Sequence, residues 1–151
     1  MKGVEIEFKY LPKELPSNLD SYEHHKIEQA YLGTAPVVRI RQEDDQYILT
    51  YKNGAGFAHN EVSLPLDEKS YKHLLEKADG NIITKTRYFI PLEDGHTAEL
   101  DIFEDKFDGM LLVEVEFESL DDADSFVPPD WFGETVTKDN IYHNSYLSRV
   151  K

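Results

Sequence analysis

Charged side chains recur at every second position in several short stretches of this chain, with apolar or aromatic residues between them. The first stretch is Glu5-Ile6-Glu7-Phe8-Lys9-Tyr10. In a β-strand successive side chains point to opposite faces, so its charges are predicted to share one face and its apolar residues the other. The same spacing occurs at Arg39/Arg41, Lys85/Arg87, Glu99/Asp101 and Glu114/Glu116, and Lys52 ends a further stretch. Acidic pairs and basic pairs therefore lie on different predicted strands.

Acidic and basic groups on one face suit two kinds of ligand. Carboxylate oxygens hold a hard divalent cation, whereas guanidinium and ammonium groups bind a polyanion such as phosphate. The competing interpretation is an ordinary sheet with one solvated face, which the alternation alone also predicts. Two features favour ligand binding. The alternating positions are almost purely Glu, Asp, Arg and Lys, and like charges two residues apart repel unless opposite charges lie nearby.

The composition is that of a folded domain without cysteine. The chain has 151 residues, of which 40% are hydrophobic, and this predicts a single domain over residues 1–151. The lack of cysteine excludes disulfides, thiolate metal sites and cysteine nucleophiles, and a cytoplasmic location fits best. A charged strand follows the first residues, and no apolar run approaches the length of a membrane span. We therefore expect an intracellular protein with no signal peptide and no membrane partner.

The net charge of −14 argues against nucleic acid as a partner, because proteins that bind nucleic acid normally present a basic surface. The alternating positions differ from the rest of the chain, because they hold seven acids and six bases and so carry a net charge of only −1. Two divalent cations would change this to about +3, close to the opposite of a triphosphate's charge. The acids are Glu5, Glu7, Glu61, Glu99, Asp101, Glu114 and Glu116, and the bases are Lys9, Arg39, Arg41, Lys52, Lys85 and Arg87.

Turn signals separate the predicted strands and indicate antiparallel hairpins. They occur at Glu43-Asp44-Asp45, Asn53-Gly54-Ala55-Gly56, Asp94-Gly95 and Asp108-Gly109. Asp67 is a typical helix N-cap, and apolar residues at helical spacing before Gly80 predict an amphipathic helix over residues 68–79. Shorter helices are predicted near 17–25, 121–127 and 140–149.

A sheet with one charged and one apolar face can be built in two ways. Either the apolar face packs on helices and the charges meet water, or the sheet closes into a barrel whose lumen holds the charges. The second design needs a ligand or a metal, because unpaired charges buried in a lumen are strongly destabilising.

The order of these motifs along the chain resembles the CYTH superfamily, also called triphosphate tunnel metalloenzymes. Glu5-x-Glu7-x-Lys9 is similar to the ExExK motif of that family, and Gln29-Ala30-Tyr31-Leu32 is similar to its QxYL motif. The resemblance covers nearly the whole chain, and this ordered series is far more specific than one ExExK motif. It continues with Arg39-Ile40-Arg41, Leu49-Thr50-Tyr51-Lys52, Ile83-Thr84-Lys85-Thr86-Arg87-Tyr88, Glu99-Leu100-Asp101-Ile102-Phe103, Glu114-Val115-Glu116-Phe117, Trp131-Phe132-Gly133, Val136-Thr137-Lys138-Asp139, Tyr142 and Asn144.

The resemblance implies an α+β fold, mainly antiparallel β, in which a closed eight-stranded β-barrel forms a tunnel with flanking helices. Basic side chains would bind the triphosphate, namely Lys9, Arg39, Arg41, Lys52, Lys85 and Arg87. Acidic side chains would hold Mg²⁺ or Mn²⁺, with Glu5, Glu7, Glu114 and Glu116 as the main metal-site residues and Glu61, Glu99 and Asp101 as further ligands or supports. Tyr31 and Lys52 stand where some family members have a catalytic pair, and an ordinary barrel aromatic is the alternative for Tyr31.

We therefore predict a metal-dependent triphosphatase acting on a small molecule. Inorganic triphosphate is the first candidate substrate, and thiamine triphosphate and a nucleotide are the others. Two alternatives stay open. A class IV adenylyl cyclase, which the same superfamily contains, would form cyclic AMP from ATP and release pyrophosphate. A non-catalytic module would bind polyphosphate through the basic set alone. The physiological substrate, the number of metals and the oligomeric state are not predicted by the sequence.

The sequence departs from the family pattern at two places. His59-Asn60-Glu61-Val62-Ser63 keeps one carboxylate where relatives often carry Arg-x-Glu-x-Glu, so an arginine and a second acid are missing beside a second metal position. Thr135-Val136-Thr137 and Ile141-Tyr142 replace the later Glu-Val-Thr and Arg-Tyr of the family.

Other motifs carry little information about function. Gly54-Ala55-Gly56 lacks the GK[ST] ending of a P-loop, and no GxSxG motif of a serine hydrolase is present. His24-His25 lies in a predicted polar helical stretch and is interpreted as a surface pair. The other histidines show no zinc-ligand spacing.

Overall fold

The structure, a computed structural model, describes residues 2–55 and 58–150, except for the side chains of residues 2–5, 54, 55, 58, 59, 140 and 145. Strands predominate in these ranges, and helices are few and short. The strands are β1 (Lys2–Pro12), β2 (Glu23–Thr34), β3 (Val37–Glu43), β4 (Gln46–Ala55), β5 (Ala58–Leu66), β6 (Asp79–Pro91), β7 (Thr97–Glu104), β8 (Leu111–Phe117) and β9 (Phe132–Thr135). The helices are α1 (Glu68–Leu75), α2 (Leu120–Asp124) and α3 (Asn144–Leu147), with 3₁₀ turns at Leu19–Ser21, Asp105–Phe107 and Asn140–Tyr142.

The described strands form one antiparallel sheet in the order β5-β4-β3-β2-β6-β7-β8-β1-β9. The strand at one end of this order, β5, is also hydrogen-bonded to β1, through the segment from Lys2 to Ile6. Hairpins join the successive strands from β2 to β5 and from β6 to β8. The predicted α+β fold, dominated by antiparallel strands, is therefore confirmed.

Strand register brings the alternating charged residues together on one face, because residues directly opposite each other in neighbouring strands share a face. Lys9 of β1 lies opposite Glu114 of β8, which in turn lies opposite Glu99 of β7. Further opposed pairs on this face are Glu7 with Glu116, Arg87 with Asp101, Gln29 with Arg41, Tyr31 with Arg39, Arg39 with Thr50, and Lys52 with Glu61.

The opposite face of the sheet is apolar and is covered by helices. Around β1, β7 and β8, residues including Tyr10, Leu100 and Val113 pack with Ala123 of α2 and Phe132 of β9. Around β2 and β3, Ala30 and Ile40 pack against Tyr71 of α1, which is almost fully buried. Burying a side chain of this size stabilises the fold by on the order of 2 kcal/mol.

An unpredicted apolar cluster occupies one end of the charged face. Tyr31, Ile83, Phe103 and Leu112 are each two residues away from a polar or charged member of that face, and all four are buried. They pack with Val136 and Leu147, which lie in residues 136–150, named here the C-terminal segment. That segment therefore covers one end of the charged face.

Gly80 fixes the C-terminal segment against β6. Its φ is +75°, and a Cβ at this position would lie 1.8 Å from the carbonyl oxygen of Ser148. The neighbouring Asn81 donates its backbone N–H to Ser148 O at 2.6 Å and its side-chain amide to Leu147 O at 2.9 Å. The interpretation of Gly80 as a helix end was therefore wrong, since Gly80 lies in a strand where only glycine lets the two backbones approach.

Several predicted helix boundaries were also wrong. The Asp67 N-cap is confirmed, with its side chain accepting from Ser70 N at 2.7 Å, but α1 ends at Leu75 and not at residue 79. Within residues 17–25 the helical part is limited to the 3₁₀ turn Leu19–Ser21. From Glu23 onward the chain belongs to β2, which pairs with β6. His24 and His25 therefore lie in a strand and not in a helix.

The last predicted helix is interrupted, because His143 has extended backbone angles between the turn Asn140–Tyr142 and α3. The predicted helix near 121–127 is confirmed as the shorter α2. The turn predicted at residues 53–56 does not begin at Asn53, because β4 continues through Ala55; residue 56 lies outside the described part of the chain. Within the described ranges, no helix combines the length and apolar character needed to cross a membrane.

Candidate active site

Lys9 is clamped between two buried carboxylates. Its Nζ lies 2.9 Å from Glu7 Oε1 and 3.1 Å from Glu114 Oε2. Burial by itself would lower the pKa of Lys9, but the Glu114 and Glu7 carboxylates outweigh burial and raise the pKa well above its usual value. Burial would likewise raise the pKa of Glu114, but Lys9 and Arg87 hold it well below its usual range. Lys9 and Glu114 are therefore both expected to be charged.

Arg87 extends this network across β6, β7 and β8. Its guanidinium lies 2.9 Å from Glu99 Oε1, 2.7 Å from Asp101 Oδ1 and 3.5 Å from Glu114 Oε1. Asp101 also lies 2.7 Å from Nζ of Lys85. We name these residues, together with Glu7 and Lys9, the paired half of the site, since among the described side chains each of its cations contacts at least one carboxylate.

Lys85 is fully buried at the boundary between the charged residues and the apolar cluster. Its Nζ lies 3.3 Å from Asn144 Oδ1 and 5.2 Å from the ring centroid of Phe103. Burial lowers the pKa of Lys85 to about 7, against the opposing attraction of Asp101, and the positive charges of Arg87 and Arg41 lower it further. An anion placed near Lys85 would therefore favour its charged form.

Arg39 and Arg41 on β3 differ from the paired half, because their closest partners are neutral. Arg41 donates from Nε and Nη2 to Gln29 Oε1 at 3.0 and 2.8 Å, and Arg39 donates from Nη2 to Thr50 Oγ1 at 3.3 Å. The buried Nε of Arg39 has no hydrogen-bond partner among the described residues. The nearest carboxylate to Arg41 in the ion pairs described is Glu43, at 3.9 Å. We name Arg39, Arg41, Gln29 and Thr50 the cationic half of the site.

The pKa of Arg41 is lowered because nearby carboxylates do not offset the burial of its positive charge. Burial lowers it to about 9, and repulsion from Arg39 and Arg87 adds to the effect. A guanidinium normally stays charged in proteins at any accessible pH. The cationic half therefore holds positive charge that a bound anion would neutralise.

Gln29 and Thr50 were missed as individual site residues. Gln29 was noted only as part of the QxYL motif, yet it is fully buried and donates from Nε2 to the Tyr31 hydroxyl at 3.1 Å. Thr50 is almost fully buried, and its hydroxyl is 3.0 Å from that of Ser63. Their position two residues from Tyr31 and Lys52 places them on the charged face, and this spacing is the signal that could have found them.

The remaining predicted residues lie around these two halves. Lys52 and Glu61 are half-buried and face each other across β4 and β5. Glu116 is exposed on β8, opposite Glu7 of β1. The backbone of Glu5 lies opposite His59, but the Glu5 side chain lies outside the described part of the chain.

The carboxylates of the paired half have the donor chemistry of a hard-cation site. Among the side chains that the structure describes, no three acids or histidines form a ready-made metal cage. Glu7 and Glu114 nevertheless place buried carboxylate oxygens on both sides of Lys9, and oxygen is the ligand type that Mg²⁺ and Mn²⁺ prefer. Asp101 and Glu99 are instead engaged by Arg87.

Residues 3–148 match the family model of the CYTH domain. The chain belongs to the CYTH family. This CYTH chain is 38% identical over 150 residues to an inorganic triphosphatase of Nitrosomonas europaea, with 96% of this chain and 97% of that protein covered. It is 35% identical over 115 residues to an inorganic triphosphatase of Acetivibrio thermocellus, with 73% and 70% covered.

A solved structure of an inorganic triphosphatase matches this CYTH chain in fold as well as in sequence. The TM-score is 0.73 at 35% identity, and the match covers 97% of this chain and 95% of the other. The family predicted from the ordered motifs is therefore confirmed.

Proposed function

We propose that this CYTH protein is a divalent-metal-dependent triphosphatase whose substrate is inorganic triphosphate. The observation that carries the proposal is the cationic half of the site, in which two partly buried arginines face neutral partners and the buried Nε of Arg39 has no hydrogen-bond partner among the described residues. A triphosphate supplies several anionic oxygens to such donors, and guanidinium groups bind them in bidentate fashion. The relatives that are 38% and 35% identical to this chain over the aligned residues are inorganic triphosphatases.

The two halves of the site are proposed to lie inside a tunnel. Pairing of β1 with β5, in addition to its pairing with β8, supports an eight-stranded ring of hydrogen-bonded strands from β1 through β8. The charged face would then line the lumen of a closed barrel, and the apolar face would be its outer wall. The apolar cluster with Val136 and Leu147 would close one end of that lumen.

Glu7 and Glu114, with Glu5 and Glu116 beside them in sequence, would hold Mg²⁺ or Mn²⁺. When bound, such a cation neutralises phosphate oxygens and lowers the charge that an attacking nucleophile meets. Glu99 and Asp101 act as supports, because they hold Arg87 and Lys85 in place. Glu61 is proposed as a further ligand or support from its position opposite Lys52.

The chain's own cations are proposed to bind and orient the substrate. Arg39, Arg41 and Lys52 would contact phosphate oxygens from one side of the lumen, and Lys9, Lys85 and Arg87 from the other. These donors are fixed before the substrate arrives, so they stabilise the charge of the transition state with little rearrangement. Tyr31 and Lys52 are proposed as the catalytic pair beside the cleaved bond.

The test is to incubate the purified protein with tripolyphosphate, thiamine triphosphate or ATP, in Mg²⁺ or Mn²⁺, and to identify the products. Release of orthophosphate from tripolyphosphate is expected. Pyrophosphate with cyclic AMP from ATP would instead identify a cyclase, and tight binding without turnover would identify a binding module. A cytoplasmic location stays a prediction.

A further inference from the structure

We propose that Gln29 is a positioning residue that turns the Tyr31 hydroxyl proton toward the substrate, so that Tyr31 acts as a hydrogen-bond donor and not as a proton acceptor. This inference deepens the proposed function and rests on it. It follows from the chemistry of three neighbouring side chains: a guanidinium, an amide and a phenol.

Gln29 is an amide from which solvent is excluded. Its exposed fraction is 0%, and its neighbours in the strand register are Arg41 on β3 and Ile83 on β6. A buried amide needs partners for both its oxygen and its nitrogen, because a buried polar group without a hydrogen-bond partner destabilises the fold. Gln29 finds one partner on each side, in Arg41 and in Tyr31.

The direction of the amide is fixed by Arg41. A guanidinium has only donors, so the Gln29 atom that faces Nε and Nη2 of Arg41 must be the oxygen. The NH₂ group then faces the Tyr31 hydroxyl, 3.1 Å away, and the phenol oxygen accepts from it. The usual ambiguity between the oxygen and the nitrogen of a glutamine side chain does not arise here.

The Tyr31 hydroxyl proton must then point away from Gln29. Arg39, directly opposite Tyr31 on β3, also has only donors and cannot accept that proton. Among the described side chains, none accepts a hydrogen bond from the Tyr31 hydroxyl, which itself accepts from Gln29 Nε2. The proton is therefore available to a phosphate oxygen or to a water in that half, where it would stabilise developing negative charge.

A purely structural role for Gln29 makes a different prediction. If the amide only satisfied Arg41, its replacement would affect anion binding and stability, whether or not Tyr31 has a hydroxyl. If the amide sets the direction of the Tyr31 hydroxyl, part of its effect on turnover must disappear when that hydroxyl is removed. A double-mutant cycle on kcat separates these two cases.

The decisive variant is Gln29→Glu, which has the same shape, keeps an acceptor for Arg41 and replaces the donor to Tyr31 by an acceptor. The new carboxylate would accept a hydrogen bond from the Tyr31 hydroxyl and so turn its proton away from the substrate. With tripolyphosphate and saturating Mg²⁺, we expect Gln29→Glu to lower kcat by at least about 10-fold in the wild-type background. In the Tyr31→Phe background we expect a further loss below about 2-fold.

Gln42→Glu is the matched control. Gln42 lies on the neighbouring strand, on the opposite face, and donates to the backbone oxygen of Asp44. The same change of charge there should leave kcat within about 2-fold of the wild type. If circular dichroism shows that Gln29→Glu does not fold, Gln29→Met takes its place in the double-mutant cycle with Tyr31→Phe. Methionine has a similar length and lacks the amide donor and acceptor.

The outcomes are distinct. An equal loss of kcat from Gln29→Glu with and without the Tyr31 hydroxyl, or normal turnover of Gln29→Glu, overturns the positioning role while the triphosphatase function stands. A wild-type protein that releases no orthophosphate from any triphosphate overturns the proposed function, and this inference falls with it.

Discussion

Lys85 and Asp101 form an ion pair from which solvent is excluded: the two groups are 2.7 Å apart and neither side chain is exposed. Asp101 also accepts hydrogen bonds from Nε and Nη2 of Arg87 at 2.7 and 2.9 Å. One carboxylate therefore compensates two cations, and removing its charge leaves both without their main partner.

We expect Asp101→Asn to destabilise the fold by about 3–5 kcal/mol, because an uncompensated buried charge costs far more than a surface pair contributes. Chemical denaturation of the protein without substrate or metal measures this change. Glu104→Gln is the control, since Glu104 pairs with the exposed Lys26 and should cost less than about 1 kcal/mol. Equal losses from the two variants would contradict burial of the Lys85 and Asp101 pair.

Removing an arginine from the cationic half should weaken anion binding with little loss of stability. Arg39→Ala relieves repulsion with Arg41 in the empty site, but it deletes donors that a triphosphate would use. We expect tripolyphosphate with Mg²⁺ to raise the melting temperature of the wild type more than diphosphate does, and this rise to be largely lost in Arg39→Ala. Lys26→Ala, at an exposed position, should keep the full rise. Absence of any shift in the wild type would contradict the anion site.

Glu116→Gln tests the carboxylates without disturbing the core, because Glu116 is exposed. The amide keeps the shape but lacks the negative charge that makes a carboxylate a good Mg²⁺ ligand. We expect turnover of tripolyphosphate to fall by at least about 100-fold, and chelation of divalent cations to abolish it in the wild type. Glu93→Gln, in the exposed turn after β6, should retain wild-type turnover. Near-normal activity in Glu116→Gln or in chelator would remove the metal from the mechanism.

Two glycines with positive φ allow the anchoring of the C-terminal segment to be measured. Gly95→Ala introduces strain alone, since its φ is +94° and a Cβ there would meet nothing within 4 Å. We expect a cost of about 1–2 kcal/mol. Gly80→Ala adds a clash with the backbone of Ser148 and should cost more than about 3 kcal/mol or detach that segment. Urea denaturation and limited proteolysis measure the two effects; equal costs would show that β6 and the segment are not in close contact.

Stability should also depend on pH through His96. Its Nδ1 lies 2.9 Å from Asp94 Oδ2 and its Nε2 lies 2.9 Å from Asp122 Oδ1 of α2. Hydrogen bonding to Asp94 raises the pKa of His96 above its ordinary value of 6.5. Burial opposes this rise, and hydrogen bonding to Asp122 adds to it. Because the pKa of His96 is raised in the folded state, its contribution to the free energy of unfolding is fully present below pH 6.5. This contribution is lost as the pH rises through the pKa of His96 in the folded state.

His96 should therefore make the free energy of unfolding fall as the pH rises from 6.5, whereas Lys85, whose pKa of about 7 in the folded state lies below its ordinary value of 10.5, contributes with the opposite sign. His96→Gln should remove the falling contribution, so that the slope of the free energy of unfolding against pH becomes more positive. His25 contributes with the same sign as His96, because hydrogen bonding to Glu23 raises its pKa. His73→Gln, at an exposed position on α1, should keep the wild-type slope. A slope that His96→Gln leaves unchanged would contradict the assignment.

The strand faces could be predicted because alternation is a local property of the chain. The residues of β1 follow it closely, and the Asp67 N-cap likewise depends only on nearby backbone groups. The start of β2 could not be found in this way. Residues from Glu23 onward extend because β6 provides hydrogen-bond partners for them, a contact that no window of sequence around Glu23 contains.

The division of the site into two halves was also beyond the sequence. Arg39/Arg41 and Lys85/Arg87 are both basic pairs with identical spacing, and nothing local distinguishes them. Their difference depends on register, which places Asp101 opposite Arg87 but Gln29 opposite Arg41. The position of the C-terminal segment over the charged face also depends on a contact between distant residues. Gly80 lies against the backbone of Ser148, which is 68 residues away in sequence.

The contact between Lys9 and Glu114 joins residues 105 positions apart in the chain. Closing so long a loop costs much conformational entropy before any attraction is gained, so pairing of β1 with β8 should be a late and slow step of folding. During synthesis on the ribosome, β1 emerges long before β8 and cannot yet form this pairing. A nascent chain therefore lacks the contact between Lys9 and Glu114 until β8 has been made. Until β8 is made, one edge of β1 is an unpaired template for aggregation, which chaperones or proteases would recognise.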